Sequence, residues 1–113
     1  MGLHEEVIIV GGVNEFPHLL GLKLFTHGHG VVTTIGLKDT LEMLNRGREF
    51  TVAIIDDKVT GGPGRIAGII NETGQGTRIA ILSQHSGQFP DIGERHFRKR
   101  GGYKPIIEYI RSR

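Results

Sequence analysis

The sequence reads TVAIIDD over residues 51–57, and a glycine-rich turn, Gly61-Gly62-Pro63-Gly64, follows it. The apolar run of residues 51–55 is typical of a β-strand that is covered on both faces, as in parallel sheets. Asp56 and Asp57 close this run, so the predicted strand carries two carboxylates to its C-terminal end. Ligand sites of open α/β sheets lie outside the carboxyl ends of the strands. The stretch therefore predicts a site at one edge of a parallel sheet.

Strands and helices alternate on both sides of this stretch. The predicted strands cover residues 7–10, 31–35, 51–55 and 78–83, with a short extended piece around Tyr103. Apolar residues at helical spacing mark the helices between them: Phe16, Leu19, Leu20 and Leu24; Leu37, Leu41 and Leu44; Ile66, Ile69 and Ile70; Ile92 and Phe97, within residues 90–99; and Ile106, Ile107 and Ile110. This alternation predicts an α/β protein with a doubly wound, five-stranded parallel sheet.

Composition indicates one globular domain over residues 1–113. The chain is 37% hydrophobic and 23% charged, which is ordinary for a globular protein and not for a disordered one. It has no Cys, so disulfides and cysteine chemistry are excluded, and a cytoplasmic location is expected. No apolar run approaches the length of about 18–20 residues that a membrane span needs.

Positive charge is concentrated at the C-terminal end. Residues 95–113 hold seven Lys/Arg and one Asp/Glu, whereas residues 1–94 hold seven Lys/Arg and eleven Asp/Glu. The segment predicts a basic helix that is either simply solvated or faces an acidic partner. One such helix gives only nonspecific electrostatic affinity for nucleic acid, so a protein partner is favoured. The residues of this predicted basic face are Arg95, Arg98, Lys99, Arg100 and Tyr103.

Six residues stand at the predicted C-terminal ends of the strands. They are Gly11, Gly12, Asp56, Asp57, Ser83 and Lys104. An aspartate can accept a phosphoryl group as a nucleophile, while a hydroxyl and an ammonium group hold the anionic oxygens of the product. The set therefore makes chemical sense as a phosphoryl-accepting site.

With these residues in order, the chain resembles the receiver domains of two-component response regulators, over essentially its whole length. The resemblance implies a flavodoxin-like (βα)5 receiver architecture. It implies that Asp56 occupies the phosphoacceptor position and that Ser83 and Lys104, the latter before Pro105, contact the phosphate and act in the switch. Gly64 resembles the glycine that opens the third helix of the family.

The same resemblance exposes a departure from the family. Receivers carry an acidic pair at the end of the first strand to hold Mg²⁺, and this chain has Gly11 and Gly12 there. Mg²⁺ requires several oxygen ligands. Asp57 is not expected to replace the missing acids, because neighbouring residues of a strand point to opposite faces. The resemblance thus implies an atypical receiver, or pseudo-receiver.

The expected function is signal transduction through protein–protein contact at the basic C-terminal face, with weak or no Mg²⁺-dependent phosphorylation and no enzymatic activity. No cofactor is expected, except Mg²⁺ if the domain is phosphorylated, and a histidine kinase is a candidate partner. The alternatives are a functional stand-alone response regulator phosphorylated on Asp56, and a small nucleotide- or anion-binding module that uses the turn at residues 61–64. His27 and His29 form a weak metal-binding candidate without an evident third ligand.

Overall fold

Five strands form one parallel sheet in the order β2-β1-β3-β4-β5. The structure, a computed structural model, describes residues 5–11, 16–59, 61–73, 76–83 and 91–111. The strands are β1 (Glu6–Gly11), β2 (Gly30–Ile35), β3 (Val52–Asp56), β4 (Arg78–Ser83) and β5 (Arg95–Arg98). The expected fold class, a doubly wound parallel sheet, is confirmed.

Helices cover both faces of the sheet in the described part of the chain. They are α1 (Phe16–Thr26), α2 (Gly36–Asn45), α3 (Pro63–Glu72) and α4 (Lys104–Arg111), and a 3₁₀ turn covers Lys99–Gly101. Helices α1 and α4 contribute to one apolar cluster, whereas α2 and α3 contribute to the other. Among these helices none is long and apolar enough to cross a membrane.

The two central strands explain why the sheet forms. The apolar residues of β1 and β3 are fully buried, and alternate residues enter the two clusters, with Val7 and Ile9 on the α1 side and Ile8 and Val10 on the other. Burial of such a side chain contributes about 1.5–3 kcal/mol. The continuous apolar runs therefore stabilise the centre of the sheet from both faces.

The glycine-rich turn serves as the entry to α3. Gly61 and Gly62 have φ angles of 97° and 87°, a region that favours glycine. Pro63 opens the helix, where its missing N–H costs nothing. The turn thus carries the chain from the C-terminal end of β3 into the next helix.

The prediction for the region between β4 and α4 was wrong. Residues 95–98, predicted within a helix, form the edge strand β5, and Ile81 of β4 is the register partner of His96. Tyr103, predicted in a strand, lies after the 3₁₀ turn and just before α4. Lys104-Pro105 is the first turn of a helix, where proline is favoured, and not the end of a strand.

Candidate functional site

A lysine joins two buried carboxylates at the C-terminal end of β3. Lys99 Nζ lies 2.8 Å from Asp56 Oδ1 and 2.7 Å from Asp57 Oδ1. The side chains of both aspartates are 0% exposed, and that of Lys99 is 18% exposed. We call Asp56, Asp57 and Lys99 the carboxylate cluster. Charge-assisted hydrogen bonds of this kind are strong because little water competes for them.

Asp56 ends β3, as the sequence predicts. Its Oδ1 accepts a second hydrogen bond from the backbone N–H of Lys58, at 2.8 Å. One carboxylate oxygen is thereby held by an ammonium group and by an amide two residues along the chain. These bonds fix the orientation of the side chain at the edge of the sheet.

Asp57 joins Asp56, contrary to the prediction. The alternation of side chains applies only within a strand, and β3 ends at Asp56. The N–H of Asp57 still donates to the carbonyl of Leu82, at 2.8 Å, while its carboxylate reaches Lys99. The strand ends at Asp56, so the alternation stops there. The carboxylate of Asp57 is therefore able to contact the same ammonium group as that of Asp56.

Lys99 takes the position that was predicted for Lys104. Lys99 directly follows β5, so the strand delivers its ammonium group to the carboxyl edge. Lys104 is exposed in the first turn of α4 and lines a groove with Lys23 of α1 and with His27, which follows α1. The prediction placed the strand five residues too late, and for this reason it selected the wrong lysine.

The charge of Lys99 is stabilised by its partners. Partial burial by itself would lower the pKa of Lys99, but the hydrogen bonds and the charges of Asp56 and Asp57 outweigh burial and raise that pKa. The ammonium form therefore persists throughout the neutral range. The carboxylate cluster therefore includes a cation at neutral pH.

Ser83 ends β4, as predicted, and the structure shows that it is buried. Its neighbour Leu82 is the register partner of Asp56, so Ser83 extends one residue beyond that level of the sheet. The hydroxyl is thus delivered to the same edge as the carboxylate cluster.

Gly11 ends β1, but the structure leaves no room for a side chain there. A Cβ atom built on Gly11 would lie 2.7 Å from Cγ and 2.9 Å from Cβ of Pro17, in the first turn of α1. The proline ring is rigid, so α1 would have to move before an acid fitted at this position. Gly12, the other position of the expected pair, lies outside the described residues.

The described donors do not fit a Mg²⁺ site of the kind that the resemblance implies. Mg²⁺ is bound in octahedral geometry by oxygen ligands. No group of three or more His, Cys, Asp or Glu suited to a metal occurs in the described ranges. At the carboxyl edge, one oxygen of Asp56 and one of Asp57 already contact an ammonium group.

The two histidines singled out in the sequence lie in different surroundings. His27 is exposed, and its Nδ1 donates to the carbonyl of Lys23. His29 is buried, and its Nδ1 accepts the backbone N–H of Glu5 at 3.1 Å. Each ring is therefore engaged locally, and the described ranges supply no third ligand for a shared metal.

The residues of the predicted basic face lie on β5, in the 3₁₀ turn and just before α4, and not on one helix. Arg95 and Arg98 are exposed on β5, and the guanidinium of Arg95 lies 5.3 Å from the centre of the Phe97 ring. Phe97 is buried, as predicted. Lys99 turns into the carboxylate cluster, while Arg100 follows it in the 3₁₀ turn. Tyr103 is half-buried and packs against the core.

Solved structures resemble this fold, although no family model and no curated protein sequence matches the chain. The receiver domain of a Francisella response regulator has a TM-score of 0.80 and 14% identity, covering 94% of this chain and 93% of that one. A CheY-like receiver domain protein from Methanospirillum hungatei has a TM-score of 0.81 and 12% identity, covering 96% and 91%. The fold is that of a response-regulator receiver domain. The predicted flavodoxin-like architecture is confirmed.

A third structure with the receiver fold was solved in a ligand-bound state. The response regulator TrrA of Thermotoga maritima, in complex with Mg²⁺ and beryllium fluoride, has a TM-score of 0.75 and 18% identity, covering 94% of this chain and 96% of that one. All three likenesses extend over more than nine-tenths of both chains. The receiver fold therefore accounts for the whole sheet and for the helices on both of its faces.

Proposed function

We propose that the chain is an atypical receiver, a pseudo-receiver, that acts in two-component-type signal transduction through protein–protein contact, with weak or no Mg²⁺-dependent phosphorylation of Asp56. The observation that carries this proposal is the contact of Lys99 with both Asp56 and Asp57. Lys99 supplies one positive charge to these carboxylates, while Gly11 stands where the resemblance implies an acid for Mg²⁺.

Charge disfavours phosphorylation at this site. A phosphoryl group adds about 1.5–2 negative charges. Two carboxylates and one ammonium group leave the carboxylate cluster with one net negative charge before any phosphate arrives. Like charges repel strongly in a buried site. Pro17 also blocks an acid at Gly11 that would strengthen a metal site.

The hydrogen bonds of Asp56 also reduce its reactivity. Attack on a phosphoryl donor through Oδ1 would require this oxygen to give up its contacts with Lys99 Nζ and with the Lys58 N–H. Both contacts stabilise the ground-state carboxylate, and Lys99 contributes a full charge. The cluster is therefore better suited to hold β3 and β5 together than to react.

A functional response regulator phosphorylated on Asp56 remains the second candidate. The arrival of Asp56, Ser83 and Lys99 at one edge of the sheet favours it, because these are the residue types that the resemblance implies there. We do not propose an enzyme, because fold alone does not grant activity.

We assign the binding of a protein partner to the basic C-terminal face. Exposed Arg95 and Arg98 lie on the edge strand β5, and Lys104 opens the exposed side of α4. These cations suit an acidic protein surface, and a histidine kinase is one candidate class of partner. A cytoplasmic location accords with the absence of Cys.

Beryllium fluoride with Mg²⁺ tests the proposal, with amide NMR shifts as the readout. We expect no saturable shifts at residues 56–59 or at Ser83 up to about 10 mM Mg²⁺. The control is Asp56→Asn, which keeps the size of the side chain and removes the acceptor. Shifts that saturate in the wild type and disappear in Asp56→Asn would establish the functional regulator instead.

A further inference from the structure

The strand β2 has an open edge within the described residues, where β1 is its one neighbour in the sheet. The N–H of Gly30 donates to the carbonyl of Glu5, so the backbone polar groups of Gly30 face β1. Alternation along the strand then turns the N–H and C=O groups of Val31, Thr33 and Ile35 away from the sheet. The Ile35 N–H donates to Asp39 Oδ2. Val31 and Thr33 present both of their groups outward.

No residue of β2 itself is charged, and the carboxylate of Asp39 contacts the edge at the N–H of Ile35, at the end of the strand. Residues 31–35 are Val, Val, Thr, Thr and Ile, a β-branched run with high strand propensity. Edge strands are usually protected from pairing by charged side chains. The opposite edge, β5, has this protection in its exposed Arg95 and Arg98. The two edges of one sheet therefore differ in their chemistry.

Apolar side chains flank the open edge on the α1 side. Leu22 is 54% exposed and Phe25 is 70% exposed, and both line a shallow groove with Val31 and Thr33. Leu19, which the sequence predicts on the buried face of α1, is 46% exposed. Large apolar residues grouped at one place on a surface mark an interaction site.

We propose that β2 pairs with β2 of a second copy of this chain, in antiparallel orientation, to form one continuous sheet across a two-fold axis. With the axis at Thr33, Thr33 lies opposite Thr33 of the second copy and Val31 lies opposite Ile35. The outward groups of Val31, Thr33 and Ile35 then form roughly six backbone hydrogen bonds, with the Ile35 N–H moving from Asp39 to the Val31 carbonyl of the second copy.

Self-pairing requires an uncharged residue at the axis. Across a two-fold axis, the residue on the axis meets its own copy, so a charge there would repel itself. Thr33 meets this requirement. Away from the axis, the β-branched residues Val31 and Ile35 face each other and form an uncharged cross-strand pair.

The surface area that the two copies can bury sets the expected affinity of the dimer. Six residues of β2 span about 20 Å, and the outer side of α1 adds Leu22 and Phe25 to the contact. Such an interface falls near or below about 1,200 Å² in total, the lower end of specific interfaces. The dimer should therefore form reversibly and depend on protein concentration.

Analytical ultracentrifugation of the full chain from about 10 µM to about 1 mM tests the proposal. We expect the wild type to move from monomer to dimer over this range. Thr33→Lys, at an exposed position on the axis, should remain monomeric. Thr73→Lys, the same change at the C-terminal end of α3, is the matched control and should dimerise like the wild type.

A charge-swap experiment separates self-pairing from loss of folding. Thr33→Lys and Thr33→Glu should each be monomeric alone, while an equimolar mixture should recover the dimer, because the two charges then face each other. A wild type that stays monomeric over the whole range overturns the proposal. A dimer that persists in Thr33→Lys does so as well. Neither result bears on the phosphorylation of Asp56.

Discussion

Pro17 occupies the space into which a side chain at position 11 would project, with Cγ 2.7 Å from the Cβ that Gly11 lacks. The end of β1 and the start of α1 therefore approach each other so closely that only a glycine fits at position 11. The packing of Pro17 thus excludes an acid at this position unless α1 moves.

Gly11→Ala should lower the free energy of unfolding by about 1–3 kcal/mol, since the methyl group forces β1 and α1 apart. Gly68→Ala is the control: Gly68 lies in α3, and a Cβ there meets nothing within 4 Å. That change should be neutral or stabilise by up to about 1 kcal/mol. Urea unfolding measures both, and equal effects would contradict the packing argument.

Lys99→Met should lower the free energy of unfolding by about 3 kcal/mol, because it leaves the buried carboxylates of Asp56 and Asp57 without their ammonium partner. Lys104→Met should change it by less than about 0.5 kcal/mol, since Lys104 is exposed. Adding Asp57→Asn to Lys99→Met should recover part of the loss, because one uncompensated charge is removed. A larger effect at Lys104 would restore the original lysine assignment.

Alkaline pH should destabilise the fold through Tyr109. Burial, followed by its hydrogen bond to Glu94, raises the pKa of Tyr109 above its ordinary value of 10.0. The folded chain therefore binds more protons than the unfolded chain above about pH 10, and the free energy of unfolding falls as pH rises. The raised pKa of Lys99 acts in the same direction. Tyr109→Phe should show a shallower alkaline decline in unfolding experiments at a series of pH values.

Arg78 stabilises the end of α4. Its guanidinium donates to the carbonyls of Tyr109 and Ile110, at 3.2 Å and 3.0 Å, and lies 5.0 Å from the centre of the Tyr109 ring. Arg78→Lys should cost about 1–2 kcal/mol, because a lysine cannot donate to both carbonyls and stack on the ring together. Faster hydrogen exchange in residues 107–111 would be the local sign. An unchanged exchange rate there would contradict this role.

The sheet could be predicted from sequence where burial is complete. The apolar runs of β1, β3 and β4 are covered on both faces, so nearly every residue carries the signal. Strand β5 has one buried apolar residue, Phe97, among Arg95, His96 and Arg98. An exposed edge strand does not need alternating apolar residues. The run of basic residues from Arg95 was therefore interpreted as part of a helix.

The candidate site could be predicted only in part for related reasons. Asp56 and Ser83 close well-marked strands, so their positions followed directly. Lys99 depended on the poorly marked β5, although the Gly101-Gly102 pair soon after it was a usable sign of a strand end. The contact of Pro17 with position 11 joins segments whose packing no local pattern encodes.

The different chemistry of the two sheet edges has a consequence for avidity. Four inter-strand spacings of about 4.8 Å place β5 about 19 Å from β2, so a dimer joined at β2 carries its two basic β5 edges at opposite ends of one ten-stranded sheet. Such a particle is a rigid bivalent ligand. A partner with two acidic sites at a matching separation would bind far more tightly than either site alone, whereas a single site gains nothing.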